Sequence, residues 1–350
     1  MSSIRTRRTA AGGVLVLALA TTVAVRAADA APAAPAATPV GQVFMVNPVQ
    51  SSGDENLVDA KDSDAAVPAS EYVTVPLRNL DASGHLSGKY VIVRSSTGKL
   101  AEASAGRFVY TRHADQFEQV MAYFWVNEAQ EYIQSLGFGS NLRSVHADQQ
   151  AVRIDQYGAD NSFFTDQHAE IRYGKGGVDD AEDAEVIVHE YGHSVHASQV
   201  PGFGSSEEAG SIGEAFGDYL AVSVGLAADA RYGWPITTPA ACVADWDSVS
   251  YTAGPVHCLR RVDGNKTYAD LVGEVHADGE IWSRALWDIR SALGDTTANR
   301  IIINAQFAFA ADTSFHDAAL ATINAAQQMY GTSAANSVRA AFHARAIPGI

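Results

Sequence analysis

The chain has 350 residues, 47% of them apolar, 18% charged and 9% aromatic, and a formal net charge of −16. That supply of large apolar side chains excludes a disordered protein and suffices for a sizeable core, in two lobes. The acidic balance speaks against nucleic acid or an anionic membrane as a partner.

Arg5, Arg7 and Arg8 precede an apolar stretch from Gly13 to Val25, and Ala28-Asp29-Ala30 then offers small residues for cleavage. The stretch is too short to span a bilayer, so residues 1–30 read as a signal peptide. The expected protein is secreted, extracellular, monomeric and free of membrane once the signal is removed. Residues 31–42 read as an Ala/Pro tether. Beyond it, Tyr72-Val73-Thr74-Val75 and Tyr90-Val91-Ile92-Val93 are strand-like runs, with Gly84 and Ser87-Gly88 marking the turn between them. Phe117, Met121, Phe124, Ala129 and Ile133 recur at helical spacing from near Ala114, and Gly137 and Gly139 close that helix. Asn161-Ser162-Phe163-Phe164 and Ala169 to Tyr173 read as a strand pair, followed by a turn at Gly174, Gly176 and Gly177.

Asp180 is the expected N-cap of a helix running to about Gln199, with Pro201 beyond its end. That helix carries His189-Glu190-Tyr191-Gly192-His193. Residues four apart share a helix face, so both imidazoles project to one point, which suits a zinc ion with a position left for water. Glu190, one step round, is placed to take a proton from that water. The bare string occurs by chance on ordinary helices, so a third ligand decides the matter. A histidine supplied as H-E-x-x-H-x-x-G-x-x-H is excluded, because His196 holds the glycine position and Gln199 the last one. A second helix, expected from about Glu207 to Gly225, offers Glu214 as a carboxylate ligand. Asp218 lies on the same face to hold the free ring N–H of a ligand histidine. Gly213, Ala215 and Gly217 would let the two helices approach closely. Glu207 and Glu208 are rival ligands without a second acid four residues on. Calcium is a further candidate cofactor, with Asp179, Asp180, Asp183 and Glu185 as its acids, although these also complement a helix N-terminus. Cys242 and Cys258, an even pair in an exported chain, are expected to form a disulfide. From Tyr268 the chain reads as Ala-rich helices with breaks near Gly294, Asp312 and Gly331. The fold class is α+β: a β-rich lobe over residues 43–200 ending in the motif helix, and a mainly helical lobe over 201–350, with a cleft between.

His189 to His193, followed by Glu214 and Asp218, resembles the gluzincin metalloproteases, the clan of thermolysin. With Val275-His276-Ala277-Asp278-Gly279-Glu280-Ile281-Trp282, Val43-Phe44, Asn47-Pro48, Leu77 to Leu80 and Gly176 to Asp180, the chain resembles the fungalysin family over about Val43 to Gly349. The resemblance implies a two-lobed thermolysin-like fold and a zinc endopeptidase acting on polypeptides. It implies zinc on His189, His193 and Glu214, Glu190 as base and then acid, and His276 as donor to the developing oxyanion. Asn161-Ser162 would be the edge-strand dipeptide that holds the substrate backbone. Three features depart from the pattern. No tyrosine lies between Val195 and Gly213, leaving Tyr251 or Tyr268 as substitutes. The acid that should precede the downstream histidine is not at its matching position, Glu274 and Asp270 being only nearby. A short tether stands where relatives carry a large propeptide. Rival readings are a zinc aminopeptidase, which needs an acidic anchor for a free amine, and a non-catalytic zinc-stabilised binding module, which has no use for Glu190.

Overall fold

The computed structural model describes residues 38–350 apart from 96, 97 and 255, so the signal segment and most of the tether lie outside the described residues. The first strand, β1 (Val40–Phe44), begins inside the stretch read as tether. It is held from both sides, which is why a strand forms there: β2 (Tyr72–Pro76) pairs with it antiparallel and β4 (Arg107–Phe108) pairs parallel. Between β1 and β2 lies the short helix α1 (Pro48–Ser52), capped by the Asn47 side chain. The third strand, β3 (Val91–Val93), belongs to a second sheet.

Helix α2 (Asp115–Ser135) supplies the floor of the first half. Its central residues are buried almost all round, Phe117, Met121, Phe124 and Trp125 among them, because both sheets pack against it. The second sheet continues with β5 (Gln150–Arg153), β6 (Phe163–Thr165) and β7 (Glu170–Arg172) in the order β3-β5-β7-β6, leaving β6 at an edge. The β6–β7 pair matches the expected strand pair; β5 was not expected.

The motif helix, α3 (Ala184–Gln199), starts later than the sequence predicts. Asp180 to Glu182 form a 3₁₀ turn, and the N-cap is Asp183, whose carboxylate accepts the Glu185 N–H. Asp180 is not the cap, because its carboxylate accepts instead from Ser162 Oγ. Helix α4 (Glu207–Tyr232) runs about two turns past the expected Gly225 and stops at Gly233 in the left-handed region (φ 69°). A hairpin of β8 (Cys242–Val243) and β9 (Arg260–Arg261) follows, antiparallel and closed by the expected Cys242–Cys258 disulfide. The remainder is helical: α5 (Val275–Leu293), α6 (Asp295–Gln306), α7 (Phe315–Tyr330) and α8 (Thr332–Ala344). Their breaks fall at Gly294, around Asp312 and at Gly331, as expected. The fold is α+β, with both larger sheets packed on α2 before the motif helix and mainly helices after it.

The α3–α4 crossing positions the site. Gly192 faces Gly217 so closely that a Cβ on Gly192 would stand 2.9 Å from the Gly217 Cα. A Cβ on Gly217 would fall 2.6 Å from His189 Nδ1. Two glycines therefore let the helix backbones touch and leave a slot for one imidazole. Gly213, expected to help, has only ordinary contacts.

Candidate metal centre

His189 and His193 sit one turn apart on α3, and Glu214 meets them from α4. The two Nε2 atoms are 3.1 Å apart; Glu214 Oε2 lies 3.2 Å from His189 Nε2 and Oε1 lies 3.5 Å from His193 Nε2. Ligand atoms at about 2.0–2.2 Å around a tetrahedral ion stand roughly 3.2–3.6 Å from one another, so each separation is close to that between neighbouring ligands of one zinc site, with Glu214 turning a different oxygen to each histidine. Asp218 Oδ1 lies 2.8 Å from His189 Nδ1, which places the ring proton on Nδ1 and leaves the Nε2 lone pair for a metal. The donor set, two imidazoles and a carboxylate, is one zinc favours.

The electrostatics agree. Burial would lower the pKa of His189, yet Asp218 and Glu214 outweigh it and raise it to about 10. Burial would raise Asp218, but Arg260 and then His189 hold it at about 2. Glu214 is likewise held well below the carboxylate range by the histidines, against its burial. A field that keeps a proton on His189 between two carboxylates would equally attract a divalent ion. Glu190 is buried, one of its oxygens has no hydrogen-bond partner among the described residues, and burial pushes its pKa up to about 7.

Arg260 was not anticipated. Its Nε donates to Asp218 Oδ2 at 2.6 Å and its Nη2 to Oδ1 at 2.7 Å, so the carboxylate that orients His189 is itself clamped from behind. Arg260 opens β9, two residues after Cys258, so the disulfide-closed hairpin holds it there. Only the proximity of the cysteines could have hinted at it.

His276, in the first turn of α5, brings Nε2 to 3.3 Å from Glu214 Oε2. Its Nδ1 lies 2.6 Å from Glu274 Oε1, and Glu274 also caps α5 by accepting the His276 and Ala277 N–H groups. Glu274, only nearby in the sequence, thus meets the His276 ring as the N-cap of α5. Of the two substitute tyrosines, Tyr251 lines the cleft with its hydroxyl on Asp247, whereas Tyr268 is turned to Glu208. Glu208 also accepts the Phe315 N–H and Glu207 is exposed, so neither rival ligand joins the triangle. Asn161 and Ser162 line the cleft just before β6 rather than within it.

The four acids considered for calcium do not converge. Asp183 accepts from Trp246 N and Asp247 N, and Glu185 from Ala244 N, so backbone donors occupy them. Asp180 groups with Asp160 and Asp247, and Asp179 with Glu118 and Asp155. The expected set fails because the 3₁₀ turn sends alternate side chains to different sides. The cleft holds about 1060 Å³, and among its lining residues are Asn161, Phe164, Glu190, Phe203, Leu259, Arg260 and His276. No helix among the described residues is long and apolar enough to cross a membrane.

Residues 202–347 match the family model described as "Thermolysin metallopeptidase, alpha-helical domain". A stretch of 126 residues is 30% identical to "Extracellular metalloproteinase mep" of Aspergillus terreus, covering 32% of this chain and 18% of that relative, so the match spans less than a fifth of its length. The fold is similar to "Precursor of Protealysin, Metalloproteinase from Serratia proteamaculans", with a TM-score of 0.53 and 17% identity, over 77% of this chain and 91% of that one. The second half of the chain thus matches the helical domain of the thermolysin metallopeptidases, and the fold of the described residues is thermolysin-like.

Proposed function

We propose that the protein is a secreted zinc endopeptidase that hydrolyses polypeptides, with zinc on His189, His193 and Glu214. The observation that carries the reading is the convergence of two imidazole nitrogens 3.1 Å apart on the Glu214 carboxylate, whose oxygens lie 3.2 Å from one and 3.5 Å from the other. Export is supported by the N-terminal pattern and by the relative described as extracellular. Bound there, zinc would supply Lewis-acid polarisation of a carbonyl oxygen and a lowered pKa for water. Glu190, on the same helix face of the cleft, takes the proton of the attacking water and passes it to the departing amine nitrogen. His276, held at Nδ1 by Glu274, turns Nε2 toward the carbonyl oxygen and donates to it as charge gathers there. Asn161 and Ser162, at the entry to edge strand β6, pair with the backbone of an extended substrate. Arg260 and Asp218 fix the His189 ring without touching the reacting atoms.

A second reading, a zinc aminopeptidase, is favoured by one feature: Asp180 and Asp247 line the cleft and each keeps a buried oxygen without a hydrogen-bond partner among the described residues. Such oxygens could anchor a free amine. Cleavage of an amine-blocked internal peptide, compared with the same peptide unblocked, tests the proposal. The endopeptidase reading expects equal rates, and loss of all cleavage on blocking would replace it with the aminopeptidase. A binding module without turnover would give no cleavage of either.

A further inference from the structure

Away from the cleft, three carboxylates share one spot. Glu118 comes from the first turn of α2, Asp155 from just beyond β5, and Asp179 from just before the turn leading to α3. Each offers one oxygen, and these oxygens lie within 4.8 Å of one another. Glu118 is 1% exposed and Asp155 is 4% exposed. Glu118 Oε2 and Asp155 Oδ1 are buried without any hydrogen-bond partner among the described residues.

The neighbouring bases do not answer this charge. Arg112 is fully buried, but its guanidinium is spent on Glu182 through both Nε and Nη2, on Asp59 Oδ1 at 2.7 Å, and on the Asp59 carbonyl at 2.7 Å. Lys175, which acts on Asp155, has its side chain at the exposed surface. Further acids crowd the same region, Asp115 and Glu182 near Glu118, and Asp59 and Asp62 near Asp179. Three acids facing one point, two of them buried with bare oxygens and the third half-buried, are costly to ionise unless a cation joins them.

The geometry points to a calcium site formed by Glu118, Asp155 and Asp179. The donors are all oxygen, with no nitrogen or sulfur, which selects a hard cation over zinc. Calcium binds oxygens at about 2.3–2.6 Å, so oxygens across one ion stand at most about 5 Å apart, a span that contains this cluster. Backbone carbonyls and water would complete the six to eight ligands that calcium takes. The ion would tie α2, the end of β5 and the approach to the motif helix together, independently of whether the cleft is catalytic.

The test uses the full mature chain, freed of calcium by passage over chelating resin and kept with zinc restored. Calcium chloride is titrated while bound calcium, bound zinc and Tm are read on the same samples. The expected result is one calcium per chain. Tm should rise by roughly 3–5 °C at a hundredfold excess over the dissociation constant, with zinc unchanged. Glu118→Gln and Asp155→Asn should each abolish the rise. Their calcium-free Tm should equal or exceed that of the wild type, since each relieves like-charge repulsion. Asp247→Asn, in the other acidic cluster, should keep the calcium response. Absence of bound calcium in the wild type, a full rise in both triad variants, or loss of the rise only in Asp247→Asn would each overturn the assignment.

Discussion

In the proposed mechanism Glu190 is the residue on which the chemistry turns. Glu190→Gln keeps shape and burial but removes the base, so the account predicts unchanged zinc content and a loss of kcat of at least roughly a thousandfold. Zinc content by atomic absorption and turnover of a blocked peptide check it together; retained turnover contradicts the role. Glu274→Gln probes a subtler point. It leaves the cap's acceptor oxygen but not the carboxylate charge that orients the His276 ring through Nδ1, so kcat should fall roughly ten- to hundredfold with KM little changed. Equal kcat would mean that His276 works unaided, or not at all. Asp218→Asn should weaken zinc about ten- to hundredfold, because it cuts the support of His189. Four of these positions were legible in the sequence because the helix repeat alone sets their faces: His189, His193, Glu214 and Asp218. Arg260 was not, since its place depends on a hairpin whose strands are only two residues each. Glu274 was visible only as a nearby acid, because its role comes from capping α5.

At the level of elements, the crossing of α3 and α4 decides whether a metal can bind. Gly217→Ala puts a methyl 2.6 Å from His189 Nδ1, inside any tolerable contact. The ring must rotate out of the triangle, so the variant should purify with far less than one zinc per chain; full zinc occupancy would contradict the packing argument. The Cys242–Cys258 bridge closes a short loop, and its removal by a double Cys→Ser change should cost roughly 3 kcal/mol of stability. Denaturant unfolding measures that, and no loss of stability would deny the hairpin its holding role. Long periodic segments were read correctly, including the breaks at Gly294 and Gly331. Misread ends have tertiary causes: β1 exists because two strands flank it, α3 starts at Asp183 because Ser162 engages Asp180, and α4 outlasts Gly225 because its far end packs on the first half, Arg231 and Tyr232 reaching Glu128. None of these partners is near in sequence.

For the whole molecule, charge sets the pH response. Burial pushes the carboxylate of Asp229, near the end of α4, up to about 7, and both its oxygens are buried without hydrogen-bond partners among the described residues. A pKa raised above the unfolded value of 3.8 means that the folded state holds its proton more tightly. The contribution is therefore fully present below about pH 4 and is lost as pH rises towards 7, in the same direction as the self-repulsion of a chain at −16. Asp229→Asn should raise Tm at pH 8 and leave it nearly unchanged at pH 4; equal Tm values at pH 8 would contradict this. The central claim is that one zinc held by two helices makes this a peptidase. The direct measurement is zinc stoichiometry and cleavage of a blocked peptide on purified mature protein, before and after o-phenanthroline and again after zinc is restored. The account predicts one zinc per chain, with cleavage lost on chelation and recovered on reloading, whereas cleavage that survives removal of the metal would contradict it.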